Sequence, residues 1–383
     1  MVFTCLTKID NYPKISKRIS QDFLYICNHL DKNNNKHMKR LSIILLTAAV
    51  IACSCSRSEK ETFTIEKGVN IAHWLSQSKA RGEARASYFT AEDVARIAGW
   101  GFDHVRIPID EEQMFHEDGT KDPEAFTLLH SALDQCAANG LRAIVDLHIL
   151  RSHHFNASVK PLFTERAAQE SFYQCWREIS GELKDYPVSM VAYELMNEPV
   201  ADDPEDWNKI VKECYDVIRG LEKDRVIVIG SNMWQSYNTV DKLTLPEGDP
   251  NIILSFHYYN PMPLTHYRAS WTGYKDLMDP VSYPGEVLPG GESYDKERFL
   301  KNFSKVTEVG RKYGIPVYCG EYGCLAFKDN DAQRYRWLED MNSAFDSLSI
   351  ARAVWCYREG KGGFGILSSS GTTDSKMVEI LTR

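Results

Sequence analysis

Eight short apolar runs separated by helix-like stretches constrain this chain more than any other feature of its sequence. The runs are Gly68–Ala72, His104–Pro108, Arg142–Leu147, Met190–Leu195, Val226–Gly230, Ile252–Phe256, Pro316–Gly320 and Ala351–Cys356. They are rich in Val and Ile and largely continuous, the pattern of strands covered on both faces. The stretches between them carry helix punctuation. In "TAEDVARIAGWG" Thr90 stands as N-cap before an acidic first turn, and glycine ends the segment. "DPEAFTLLHSALDQCAANG", "DWNKIVKECYDVIRGLEKD" and "DKERFLKNFSKVTEVGRKYG" repeat that grammar; "AQRYRWLEDMNSAFDSL" follows the seventh run and "DSKMVEILTR" closes the chain. Eight strands alternating with helices over about 315 residues predict an α/β fold: a single (β/α)8 TIM barrel with its active site at the C-terminal ends of the strands. The alternative, a doubly wound open sheet, usually shows a glycine-rich phosphate loop after an early strand. Neither G-x-G-x-x-G nor G-x-x-x-x-G-K-[ST] occurs.

The first 62 residues stand outside this pattern. From Met38, "MKRLSIILLTAAVIACSC" reads as an export signal: Lys39 and Arg40 precede an apolar run, residues 41–52, too short to span a bilayer and suited to a signal-peptide core. Val50-Ile51-Ala52-Cys53 resembles a bacterial lipoprotein cleavage box. Cys53 is therefore expected to carry lipid, with residues 53–62 as a polar tether, and the protein to be exported and held at the bacterial outer membrane by that anchor alone. Residues 1–37 fit neither role and read as an upstream extension from a mis-assigned start codon. That leaves residues 63–383 as one domain.

Charge narrows the partners. Net charge is -8, but residues 1–52 hold eight Lys/Arg against three Asp/Glu, so the remainder carries 37 basic against 50 acidic residues, or -13. An acidic body argues against nucleic acid and anionic membrane surfaces. Aromatics reach 11%, which suits contact with flat apolar faces such as sugar rings. The cysteines show no paired metal-ligand spacing. Cys319, Cys324 and Cys356 fall near strand ends, where a disulfide is one reading.

Strand ends in such a barrel face one mouth. The first run ends at His73-Trp74, the second contains Arg106 in "HVRIP", and the third ends in "VDLH" with His148. The fourth gives Asn197-Glu198-Pro199, the fifth leads to Asn232 and Trp234 in "GSNMWQS", and the sixth ends in "SFHYYN" with His257 and Tyr259. The seventh carries Glu321 in "VYCGEYG" and the eighth ends at Trp355. Singly, each has an ordinary structural explanation, such as an ion pair, a satisfied imidazole or an aromatic plug. Together, eight ends bearing polar or aromatic groups exceed what stability requires. Glu198 and Glu321 lie across the mouth from each other. Two carboxyl groups about 5 Å apart serve retaining glycoside hydrolysis, one protonated and one ionised. Arg106 is placed to hold Glu321 ionised.

"ELMNEP", "VRIP", "DLH", "HYY" and "GEYG", in this order and on these strands, resemble glycoside hydrolase family 5, the cellulase-like retaining β-glycosidases, over residues 63–383. The resemblance implies Glu198 as general acid/base and Glu321 as nucleophile. It implies Asn197 on the 2-hydroxyl of the sugar in subsite -1, Arg106 and Tyr259 holding the nucleophile, His148 and His257 lining the subsite, and Trp355 as its stacking floor. His73, Trp74 and Trp234 complete the expected substrate contacts. An endo-β-1,4-glucanase acting on β-glucan or a related polysaccharide as a monomer, without cofactor or metal, is the leading expectation. "GVNIAHWLS" is similar to the family's β-1,3-glucanase branch, which keeps β-1,3-glucanase open alongside β-mannanase. One departure is that Ile149 follows His148 where many relatives have a second histidine; His153-His154 comes later. The stretch 260–296, with Tyr267, Trp271, Tyr274 and Tyr283, is expected to form one cleft wall. Two rival classes are weighed. A metallohydrolase would use His148, His153, His154 and His257 but lacks a carboxylate or lysine completing the cage. A non-catalytic, lipid-anchored glycan-binding protein would have lost Glu198 or Glu321.

Overall fold

The structure is a computed structural model that describes residues 62–279, 281–327, 330–358 and 363–383. The expected signal, anchor and upstream segments lie outside the described residues. Ten strands are described, in chain order: β1 Lys67–Asn70, β2 His104–Asp110, β3 Arg142–Ile149, β4 Val191–Glu194, β5 Ile227–Gly230, β6 Ile252–Tyr258, β7 Gly285–Glu286, β8 Ser293–Tyr294, β9 Val317–Tyr322 and β10 Ala351–Val354. Eight of them close a barrel in the order β1-β10-β9-β6-β5-β4-β3-β2, and every pairing around it is parallel. The eight apolar runs are thus the eight barrel strands. β7 and β8 form a separate small antiparallel hairpin on the excursion after β6, which the sequence pattern did not signal.

Among the described residues seven longer helices cover the barrel: α1 Ala91–Trp100, α2 Pro123–Ala138, α3 Arg166–Leu183, α4 Pro204–Leu221, α5 Lys296–Tyr313, α6 Asp331–Leu348 and α7 Ser375–Thr382. Their starts follow local chemistry. Thr90 and Asp93 form a reciprocal capping box, and Asp122, Asp203, Asp295 and Asp374 each accept a backbone N–H of the first turn. Such a cap is worth about 1 kcal/mol. On α4, Trp207, Ile210, Val211, Cys214 and Ile218 are buried, the helical period that turns one face to the sheet. Between β5 and β6 the chain makes only the short helix Asn232–Gln235 and a 3-10 turn at Val240–Lys242.

Inside the barrel, Ile144, Ala192, Val226, Val228, Ile253, Tyr318 and Ala353 form an apolar plug. Above it the interior turns polar: Arg106, Asp146 and Glu194 are all fully buried. That change of chemistry along the barrel axis is what positions the site. At the opposite end, Gly68 gives room for His104, whose ring atoms lie 2.3–2.5 Å from where a Cβ would stand. The disulfide left open for Cys319, Cys324 and Cys356 does not form. Cys319 donates to the Glu321 carbonyl, Cys324 to the Leu264 carbonyl, and Cys356 to the Arg358 carbonyl. No helix among the described residues is long and apolar enough to cross a membrane.

Candidate active site

Arg106 organises the mouth. Strand alternation points it inward from β2, and all of its nitrogens find acceptors. Nε donates to Glu194 Oε2 at 2.6 Å, Nη1 to Asn70 Oδ1 at 2.9 Å and Glu321 Oε1 at 2.8 Å, and Nη2 to Asn197 Oδ1 at 2.9 Å and Glu194 Oε1 at 3.2 Å. Nη2 also lies 2.9 Å from Asp146 Oδ2. One buried cation therefore faces three carboxylates, and burial pushes Asp146 up to about 7 despite Arg106. The contact at Asn197 Oδ1 fixes the orientation of that amide, leaving its NH2 as the group available to a ligand.

Glu198 leaves β4 in a left-handed conformation, φ 44°, an unfavourable choice for a glutamate that the surroundings must enforce. Asn197 N donates to Leu147 O at 3.1 Å, Val200 N to His153 Nε2 at 3.2 Å, and Trp234 N to Pro199 O at 3.2 Å. The exit of the strand is thus tied to its neighbours on both sides. Glu198 Oε1 lies 3.0 Å from His257 Nδ1, and that same nitrogen is 3.7 Å from Glu321 Oε2. Ligating atoms of Glu198, His257 and Glu321 all fall within 4.8 Å of one another. Tyr259 donates its hydroxyl to Glu321 Oε2 at 3.0 Å.

The two carboxyls titrate in opposed settings. Burial, then the negative charge of Glu321, pushes Glu198 well above the usual range. Burial raises Glu321 too, but Arg106 opposes it directly. His148 is driven down to about 4 by burial and is neutral near pH 7, so Arg106 is the cation that counts. Glu321 is the member that ionises first. His257 is held neutral by burial and by Arg106, and burial followed by the charges of Glu321 and Glu198 keeps Tyr259 a phenol.

The cavity above these groups measures about 810 Å³. His73, His148, Asn197, Glu198, Trp234, His257, Tyr259, Glu321 and Trp355 all line it, and Arg106 lies directly beneath. Trp355 lines the cavity, with His148 stacked on it at 5.7 Å and 12° and His73 meeting it edge-on at 6.2 Å. His148 is oriented by Asp146, 2.7 Å from its Nδ1. Trp74 must be withdrawn from the substrate contacts. It is 1% exposed, donates through Nε1 to Arg85 O at 2.9 Å, and packs on Phe89. Asn232 braces the backbone of Ala201 from both sides of its amide.

The stretch 260–296 does supply a wall, through Asn260, Met262, His266, Trp271 and Thr272, but not through most of the aromatics expected. Of its four aromatics Trp271 lines the cleft. Tyr267 packs on Phe327, and Tyr283 donates to Asp340 while stacking on Phe299. Met233 and Phe364 line the cavity and, like His266 within the expected wall, were not singled out in the sequence. The four histidines of the metallohydrolase reading do not converge. His153 is buried against Phe163 and the Val200 amide, away from His257.

Comparison with known proteins agrees with this geometry. Residues 65–360 match the family model described as cellulase (glycosyl hydrolase family 5). Cellodextrinase A of Ruminococcus flavefaciens is 30% identical over 325 residues, covering 83% of this chain and 94% of the relative. Endoglucanase C of Acetivibrio thermocellus is 29% identical over 320 residues, covering 77% and 92%. Among solved structures, Thermotoga maritima Cel5A in complex with mannotriose superposes with a TM-score of 0.71 at 25% identity, covering 84% of this chain and 99% of that one. With the family model spanning most of the barrel, this chain belongs to glycosyl hydrolase family 5 and is a glycosidase.

Proposed function

We propose that the chain is a retaining endo-β-1,4-glucanase in which Glu321 is the nucleophile and Glu198 the general acid/base. The observation that carries this is the pair itself: two carboxyls, Glu321 buried and Glu198 half-buried, within 4.8 Å at their nearest oxygens, and among the described residues only Glu321 is touched by a cation. That separation fits the retaining arrangement, near 5–5.5 Å between carboxyl groups, and not the inverting one of roughly 6.5–9.5 Å. Glu321 attacks the anomeric carbon while Glu198 gives its proton to the departing glycosidic oxygen. Glu198, now a carboxylate, takes a proton from water, which attacks the same carbon and releases Glu321. Two inversions give net retention. Asn197 presents its NH2 to the sugar's 2-hydroxyl, and Pro199 stiffens the turn that holds Asn197 and Glu198 together.

The β-1,4-glucan assignment draws on relatives named cellodextrinase and endoglucanase that match over nearly their whole length. β-1,3-Glucanase and β-mannanase are the alternatives, the latter favoured by the mannotriose bound to a structural relative. Residues 56–383 would be incubated with barley β-glucan, carboxymethyl-cellulose, laminarin and galactomannan. Short oligosaccharides from the first two, with viscosity falling ahead of reducing-end release, are expected. Activity on laminarin or galactomannan alone would overturn the linkage, and an inverted first product by NMR would overturn the mechanism.

The export reading belongs to the same proposal: an anchor at Cys53 would hold the enzyme at the outer membrane. Cys53→Ala is expected to move it from the detergent-extracted membrane fraction to the soluble one. An unchanged distribution would remove the anchor from the account.

A further inference from the structure

Glu194 and Gln235 lie beneath the reacting atoms and are both fully buried. Glu194 closes β4, accepts two bonds from Arg106, and takes a third from Gln235 Nε2 at 3.0 Å. Gln235 ends a turn of unusual backbone. Met233, Trp234 and Gln235 have φ of 56°, 60° and 51°, three consecutive non-glycine residues in the left-handed region that L-amino acids avoid. Such a turn persists only where the surroundings over-determine it, and it tends to mark a functional place.

Gly230 supplies an independent observation. It is the last residue of β5, and a Cβ there would stand 1.9 Å from Gln235 Nε2 and 2.4 Å from its Cγ and Cδ. The missing side chain is the gap through which Gln235 reaches Glu194. Any residue larger than glycine would have to expel the amide from that path.

We propose that Gln235 and Glu194 are positioning residues for nucleophilic attack. Gln235 fixes the carboxylate of Glu194, Glu194 fixes the guanidinium of Arg106 through two bonds, and Arg106 presents both Glu321 and Asn197. The guanidinium is planar and rigid, so turning it to follow a displaced Glu194 moves both partners at once. The same left-handed turn carries Trp234 into the cleft wall, with its backbone N–H on Pro199 O. One stiff piece therefore supports the glycan from the side and the nucleophile from below. Attack depends steeply on such placement.

The inference rests on the reading of Glu321 as nucleophile, and the test separates the two. Wild type, Gln235→Met, Gly230→Ala and the double variant would be treated with 2,4-dinitrophenyl 2-deoxy-2-fluoro-β-cellobioside. A Glu321 carboxylate oxygen bonds to the anomeric carbon, the bond to the aryl oxygen breaks, and dinitrophenolate departs with the electron pair, needing no acid. Loss of the dinitrophenyl group is followed by colour and the adduct by mass. Each single variant is expected to lower the maximal labelling rate by about tenfold, the scale of one charge-assisted hydrogen bond, with the half-saturating concentration unchanged. Because both variants remove the same contact, the double variant should be no slower than the slower single. Labelling of folded single variants at the wild-type rate overturns the proposal, as does a double variant whose loss is the product of the two. Should Gln235→Met fail to fold by circular dichroism, Gly230→Ala alone decides. A wild type that acquires no adduct on the Glu321 peptide overturns the nucleophile assignment, and this inference with it.

Discussion

The ends of β4 and β9 carry the same side chain and make different things of it. Glu321 lies within β9, where the pairing with β6 and β10 shifts register, and meets two donors, Arg106 at 2.8 Å and Tyr259 at 3.0 Å. Glu198 sits past its strand in a left-handed kink with an imidazole at 3.0 Å and, among the described residues, no cation in contact. The first environment favours the anion and the second the acid. Role is therefore set by the neighbours: Arg106 from β2 and Tyr259 from just past β6 for Glu321, His257 on β6 for Glu198.

The contrast can be broken most severely at Glu321. Replacing it with Ala should reduce turnover on every substrate by on the order of 10⁴-fold or more, as for other residues bonded to the reacting atom. Turnover of glycan and dinitrophenyl cellobioside alike is the measurement. Glu198→Ala should cost about 10²–10⁴-fold on glycan, the range of general acid catalysis, yet leave the first step on the dinitrophenyl substrate nearly intact, since that leaving group needs no proton. An equal loss on both substrates would erase the distinction between the two ends. Tyr259→Phe should cost about tenfold, the scale of a hydrogen bond to a charged group. It should also move the acidic limb of kcat/KM upward: the hydroxyl favours ionised Glu321, so removing it raises the pKa through which activity is gained. The alkaline limb belongs to Glu198, whose raised pKa keeps it protonated; activity should fall as pH rises through that value, and Tyr259→Phe should leave this limb where it is. The smallest catalytic effect is expected from Trp74→Phe, which should lower Tm through lost packing and the lost bond to Arg85 O while leaving KM unchanged.

The barrel was legible because its strands are buried on both faces and its helices are capped by side chains that announce themselves, as Thr90 and the four aspartates do. The residues around the anomeric centre were legible for a related reason: strand ends must converge, so polar groups found there are read in pairs across the mouth. Trp74 was misplaced by that same rule. The chain leaves β1 at Asn70 and turns through His73, φ 62°, which sends His73 to the cleft and Trp74 into the core against Phe89. Tyr267 and Tyr283 were misplaced because a long loop must build a small core of its own, and aromatic residues serve that purpose as readily as they line a wall. Phe364 and His266 follow no strand or helix period, so nothing in their spacing marked them. Glu194 was hidden in plain view inside "ELMNEP", where it reads as part of a strand until Arg106 is seen on the other side of it.

Every donor of Arg106 is engaged beneath the sugar, so the floor has no vacancy for a new recognition contact. For directed evolution this divides the cleft into two territories. Randomising Asp146, Glu194 or Asn70 would return mostly inactive clones, because each exchange strands a partner. A library confined to Trp271, Thr272 and Phe364, which border the cavity without bonding to the guanidinium or joining the turn that carries Gln235, can search for new glycans while the chemistry below stays as it is.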